Sequence, residues 1–110
     1  MKTVKQAFDE MPGTFLPEAA EGVDEVYQFD ISGEGGGKWY AQVKDRKCSV
    51  VEGVHEKPSL TITMSATDYI DMVEGRLHGQ VAFMTRKMRL KGDMRHAIKM
   101  NQIFKRKSSG

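Results

Sequence analysis

Apolar and polar residues alternate with a period of two through the middle of the chain and follow helical spacing toward both ends. Tyr27, Phe29 and Ile31 alternate with Gln28, Asp30 and Ser32, which predicts a half-buried strand. After the glycine-rich run 33–37 the alternation resumes, with Trp39, Ala41 and Val43 against Tyr40, Gln42 and Lys44. Asp45-Arg46-Lys47 is a turn candidate before a third strand through Cys48, Val50 and Val51. A fourth sets Leu60, Ile62 and Met64 against Thr61 and Thr63. Lys87-Met88-Arg89-Leu90-Lys91 alternates once more until Gly92 breaks it. Consecutive strands with one apolar face each predict a one-sided antiparallel meander.

The helical segments carry their own start and stop signals. Thr3 suits the N-cap of a helix with Val4, Ala7, Phe8 and Met11 at helical spacing, ended by Pro12-Gly13. Pro17 suits the first turn of a second, short helix through Ala20. Ser65-Ala66-Thr67-Asp68 has the form of an acidic capping box, opening a helix with Tyr69, Met72 and Val73 inward and Gly75 at its close. Gly79 to Met84 forms another short helix, with Val81, Ala82 and Met84 apolar. Asp93 caps the last helix. At about 100° per residue, its Met94, Ala97, Ile98, Met100, Asn101 and Phe104 share one face, and Arg95, His96, Lys99 and Arg106 lie opposite. Since every strand offers one apolar face, the helices should gather there, giving an α+β domain. Such a layer encloses a cavity wherever helix and sheet side chains do not interdigitate fully.

Composition narrows the picture. The 110 residues suffice for one domain with one core, and shares of 39% hydrophobic and 29% charged residues indicate a globular chain. No apolar stretch approaches the roughly 18 residues of a membrane span. Met1-Lys2-Thr3-Val4-Lys5-Gln6 lacks the apolar core of a secretion signal, so a reducing compartment is expected. The single cysteine, Cys48, rules out an internal disulfide and a multi-cysteine zinc site, and is read as a small buried hydrophobe. Of 8 methionines, six lie at or beyond Met64; they either fill gaps in a solid core or line a surface that accepts varied apolar shapes. Charge is uneven. Residues 1–55 hold six Lys/Arg against ten Asp/Glu, and residues 56–110 eleven against five. The basic half is either a solvated face or the seat of an anionic partner.

Catalytic chemistry finds little support. The glycine run leads into a strand, whereas a phosphate loop must open onto a helix, so it is a hairpin loop. His55, His78 and His96 show no metal-ligand spacing, and no local motif supports a nucleophile or a carboxylate pair. No enzyme activity, metal or cofactor is expected.

From Pro58 onward the order of residues resembles the sterol carrier protein type-two family. The carrying segments are Leu60-Thr61-Ile62-Thr63-Met64-Ser65, Ala66-Thr67-Asp68-Tyr69 with Gly75, Gln80-Val81-Ala82-Phe83-Met84, Lys87 through Met94, and Ala97-Ile98-Lys99-Met100. Upstream, Tyr27 to Ile31, the glycine turn and Trp39-Tyr40 match the family's first hairpin, so the likeness runs from Tyr27 to Phe104. It implies a five-stranded, mainly antiparallel sheet with helices on one face, enclosing a hydrophobic tunnel for fatty acyl chains, acyl-coenzyme A or sterols. It also implies carriage of lipid without its transformation, by one domain spanning 1–110. By position Gln80 matches a family glutamine near the tunnel, and Phe83, Met84 and Met88 match tunnel-wall positions. Where the family often has glycine before the lysine of the last strand, this chain has Arg86, which bears on the tunnel mouth. The family's animal members often end in a peroxisomal signal; Ser108-Ser109-Gly110 does not resemble one, so a cytoplasmic protein is expected.

The expected lining is therefore Met64, Met72, Met84, Met88 and Met100 with Phe8, Trp39, Ile62, Phe83, Ile98 and Phe104, and Gln80 at the lipid head. A ten-carbon tail buried there would contribute about 8 kcal/mol gross, enough for micromolar binding after ordering costs. Arg76, Arg86, Lys105, Arg106 and Lys107 would meet an anionic membrane or an acyl-coenzyme A phosphate. Two alternatives stand beside carriage: an accessory subunit presenting a lipid intermediate to a partner enzyme, and a basic-face nucleic-acid or protein binder. Nucleic acid is not the expected partner, since only Phe104 interleaves an aromatic ring with the basic residues.

Overall fold

The computed structural model describes residues 2–105. Thr3 opens α1 (Val4–Glu10) with a full capping box: its hydroxyl accepts from the Gln6 N–H, and the Gln6 side chain accepts from the Thr3 N–H. Pro12 turns the chain into a 3-10 segment, Met11–Thr14, and Pro17 starts another, Pro17–Ala19. The strands follow as β1 (Glu25–Ser32), β2 (Gly37–Lys44), β3 (Lys47–Glu52) and β4 (Leu60–Ser65). Then come α2 (Ala66–Val73), α3 (Gly79–Met84), β5 (Met88–Gly92) and α4 (Met94–Ile103). Ser65 and Asp93 cap α2 and α4, accepting from the N–H groups of Asp68 and Arg95.

The sheet order is β3-β2-β1-β4-β5. Register puts the expected apolar residues on one face. Phe29 pairs with Trp39 and Ile62, Tyr27 with Ala41 and Leu60, and Leu90 and Met88 extend the layer opposite Ile62 and Met64. The helices cover this face. Phe8 of α1 stacks between Trp39 (4.6 Å between centroids) and Tyr69 of α2 (4.9 Å) and meets Phe29 edge-on at 5.1 Å. Ala82 of α3 and Ala97 and Ile103 of α4 complete the same core.

Three expectations are corrected. The sheet is mixed, not a simple meander, because β4 pairs parallel to β1 and leaves β3 at the edge. The connection 53–59 makes this order possible, and Gln28 on the opposite face of β1 anchors it. The buried Gln28 Nε2 donates to the carbonyls of Trp39 (3.2 Å) and Gly53 (3.1 Å), and its Oε1 accepts from the His55 N–H (2.8 Å). The Ser59 N–H then donates to the Val26 carbonyl, and the Ser59 hydroxyl accepts from the Val26 N–H. Second, Gly92 belongs to β5, paired with Leu60. Its φ is 127°, and a Cβ would sit 2.7 Å from the Ser59 carbonyl oxygen, so glycine is needed for that close approach.

Third, α4 is rotated by roughly a quarter turn from the face expected of it. Ala97 and Ile103 are buried and Met100 is half-buried, while Met94 and Ile98 face outward. Two links outside the helix's own pattern set this rotation. His96 Nδ1 hydrogen-bonds the Glu25 carboxylate, which also accepts from the buried Tyr27 hydroxyl (3.2 Å). Beyond the helix, Phe104 forms a β-bridge with Phe15, their rings 5.7 Å apart.

Candidate functional site

The last two helices bury few apolar side chains and leave many in water. The short α3 packs Gly79 and Ala82 inward against the β5 side of the fold, leaving Val81, Phe83 and Met84 exposed. On α4, Met94 and Ile98 are exposed in the same way, one helical turn apart. Together with Val51 and Val54, far along the chain on β3 and the crossing loop, these are the exposed large hydrophobic residues among those described.

The end of α3 shapes the site. The Arg86 N–H donates to the Phe83 carbonyl (3.2 Å) and the Lys87 N–H to the Ala82 carbonyl (2.8 Å), while the Thr85 hydroxyl caps the Val81 carbonyl (2.7 Å). That is a Schellman closure, with Arg86 in the left-handed region at φ 64°. The chain then enters β5, and between α3 and this edge strand lies an open cleft of about 450 Å³. Phe83, Met84, Met88 and Leu90 give it an apolar lining, and Arg86 and Arg89 border it.

Of the expected lining residues, the structure gathers Phe83, Met84 and Met88 at this cleft, with Arg86 beside them. Phe8, Trp39, Ile62 and Met64 are buried in the aromatic-centred core, and Met72, Met100 and Phe104 are half-buried at its margin. Gln80 and Ile98 are exposed and do not line the cleft. Arg76 pairs with Asp71 (3.0 Å) and Lys105 is exposed, its N–H donating to the Thr14 carbonyl; Arg106 and Lys107 lie outside the described residues. Sequence reasoning left out Leu90 and Arg89, although the alternation of β5 already put Leu90 with Met88 on the helix-covered face.

A second opening, of about 370 Å³, lies between 22–24 and the β2–β3 turn. Val23 is its one apolar residue; Asp24, Lys44, Asp45 and Arg46 make it charged, and Arg46 pairs with Glu21 (3.1 Å). It suits an acyl chain poorly. Cys48 is half-buried on β3, and burial pushes its thiol up to about 11. Tyr27 and Tyr69 are likewise raised by burial, and neither faces the cleft.

The site is thus an apolar cleft where α3 meets the edge strand of a sheet covered on one face by helices. The SCP-2 sterol transfer family model matches residues 5–105, and the chain belongs to that family. Among curated relatives, Hydroxysteroid dehydrogenase-like protein 2 of Danio rerio is 32% identical over 102 residues, covering 92% of this chain and 25% of its own length. The chain thus spans about a quarter of the length of such relatives. Among solved structures, palmitated SCP2L2 from Aedes aegypti superposes with a TM-score of 0.72 at 24% identity, covering 90% of this chain and 91% of that one. The sec-alkylsulfatase Pisa1 from Pseudomonas sp. reaches a TM-score of 0.81 at 14% identity, over 99% of this chain and 17% of its own. These two share the fold. Membership of this family supports lipid binding, and among the described residues no helix is long and apolar enough to cross a membrane.

Proposed function

We propose that the chain carries single-chain acyl lipids, fatty acid or acyl-coenzyme A, whose tail enters between α3 and β5. The observation that carries this reading is the exposure of Phe83 (43%) and Met84 (72%) over a cleft floored by Met88 and Leu90. Apolar surface of this kind, contiguous and beside cations, marks a ligand groove more than a solvated face. A tail seated there covers Phe83 and Met84. A longer one displaces α3 or α4 and reaches the core-margin residues Met72 and Met100, turning the cleft into the expected tunnel with Phe8, Trp39, Ile62 and Met64 at its inner end. The methionines suit this, since an unbranched thioether repacks around a varied tail. Gln80, exposed on α3, would meet a polar head, and a sterol would enter by the same opening. The unpaired basic residues beside the cleft would meet an anionic membrane during loading, in the cytoplasm.

A second reading has its own support. The curated relatives carry this domain as about a quarter of a longer chain named as dehydrogenase-like. Presentation of a bound lipid to a partner enzyme, in cis or in trans, uses the same cleft and adds a docking surface. Titration of delipidated protein with a fluorescent acyl probe, competed by fatty acid and by acyl-coenzyme A, tests the carriage reading. Saturable, displaceable binding in the micromolar range is expected, and its absence contradicts the reading.

A further inference from the structure

Two helices of this protein end in the same way, and the comparison isolates one residue. At the end of α2 the Gly75 N–H donates to the Met72 carbonyl (3.2 Å) and the Arg76 N–H to the Asp71 carbonyl (2.8 Å). At the end of α3 the Arg86 and Lys87 N–H groups make the equivalent bonds. The residue that reverses the chain is Gly75 in one case (φ 84°) and Arg86 in the other (φ 64°). Glycine enters the left-handed region freely, and a side chain there is disfavoured by its Cβ. The backbone alone would choose glycine at both ends, as it does at α2.

The ion pairs point to the same residue. Arg46, Arg76 and Arg95 are each bound to a carboxylate, of Glu21, Asp71 and Asp93. Among the described residues the two arginines without such a partner are Arg86 and Arg89, and both border the apolar cleft. Lys87, between them in sequence, has no carboxylate partner either. An apolar trough bordered by two arginines that no carboxylate binds suits an apolar tail ending in an oxyanion.

We propose that Arg86 is a specificity-determining residue that selects, among single-chain amphiphiles, those with an anionic head, phosphate above carboxylate and both above hydroxyl. This rests on the acyl reading of the cleft and adds the head group to it. The tail is held by Phe83, Met84, Met88 and Leu90. Arg86, placed at the rim by the reversal at the end of α3, offers its planar fork to two head-group oxygens, with Arg89 beside it.

The test compares dodecanol, dodecanoate and dodecyl phosphate, which share a tail, as competitors for a neutral fluorescent alcohol bound to the wild type, R86G and R86K. Inorganic phosphate serves as a tail-free control. The wild type should bind dodecyl phosphate about ten-fold more tightly than dodecanol, the scale of one added charge-assisted hydrogen bond. R86G should reduce that ratio to within about three-fold, Arg89 remaining, because dodecyl phosphate loses more affinity than dodecanol, and its urea midpoint should rise. R86K, which keeps the charge without the fork, should fall between. Inorganic phosphate should not compete.

An R86G protein that keeps the full phosphate preference, or that weakens dodecanol as much as dodecyl phosphate, overturns the proposal. So does competition by inorganic phosphate as strong as that of dodecyl phosphate, which would make the anion site independent of the tail. Dodecanol binding by the wild type without any head preference overturns the selection alone. Failure of all three amphiphiles to bind overturns the acyl reading and the selection with it.

Discussion

Met84→Ala separates a residue kept for ligand from one kept for the fold. Its side chain is 72% exposed at the cleft, so truncation removes little that folding buries. Stability should change by less than about 0.5 kcal/mol. Binding is different. Full burial of a methionine is worth about 1.5–3 kcal/mol, so covering roughly three-quarters of it with a lipid tail contributes about 1–2 kcal/mol. That predicts a rise in Kd of about five- to thirty-fold for an acyl ligand. Displacement of an acyl probe and urea unfolding, run on the same preparations, read the two quantities. Met64→Ala is the contrast: its side chain is 3% exposed beneath the helices, and its loss should cost about 2–5 kcal/mol of stability. An unchanged Kd in Met84→Ala, within about two-fold, refutes the assignment of the cleft, because a covered apolar contact of this size cannot be removed silently.

Three further perturbations test other parts of the account. Gln28→Leu removes the contacts to Gly53 and His55 that pin the 53–59 connection, and the one to Trp39, and should lower stability by about 2–4 kcal/mol in urea unfolding; a loss below about 0.5 kcal/mol contradicts its anchoring role. The Arg95 side chain, with the Arg95 N–H, holds the Asp93 carboxyl at about 2, below its ordinary 3.8. The unfolded chain then takes up the proton first, so this contribution is full above pH 3.8 and lost as pH falls through about 2. Asp93→Asn should therefore flatten the fall of the urea midpoint across that window, and an unchanged slope contradicts it. Burial raises the Cys48 thiol from 9.0 to about 11. Its reaction with an aromatic disulfide reagent near neutral pH should be about a hundred-fold slower in the folded than in the unfolded protein, and equal rates contradict this.

What was legible in the sequence follows from the range of each signal. Strand alternation and helix caps are local. Tyr27-Phe29-Ile31 and Leu60-Ile62-Met64 therefore fell on one face as expected, and Thr3, Ser65 and Asp93 opened their helices. The parallel β1–β4 pairing depends on a loop crossing the other face of the sheet. Gln28 holds that loop, yet in sequence it is one polar residue among the alternating ones of β1. The face of α4 was misjudged for a similar reason. His96–Glu25 and Phe104–Phe15 fix its rotation from outside, so Ile103 is buried where Ile98 was expected. Of the residues the family likeness named, Phe83, Met84 and Met88 border the proposed cleft, together with Leu90 and Arg89, which it did not name.

The most direct measurement is a solution NMR titration of the methyl-labelled protein with dodecanoate, followed at Met84, Met88 and Leu90, with Val43 and Val51 on the far strands as controls. The account predicts saturable shifts at the three cleft residues, beginning with the first additions and leaving the controls still. Saturable binding that moves the controls and leaves the cleft methyls unmoved, or no binding at all, contradicts it.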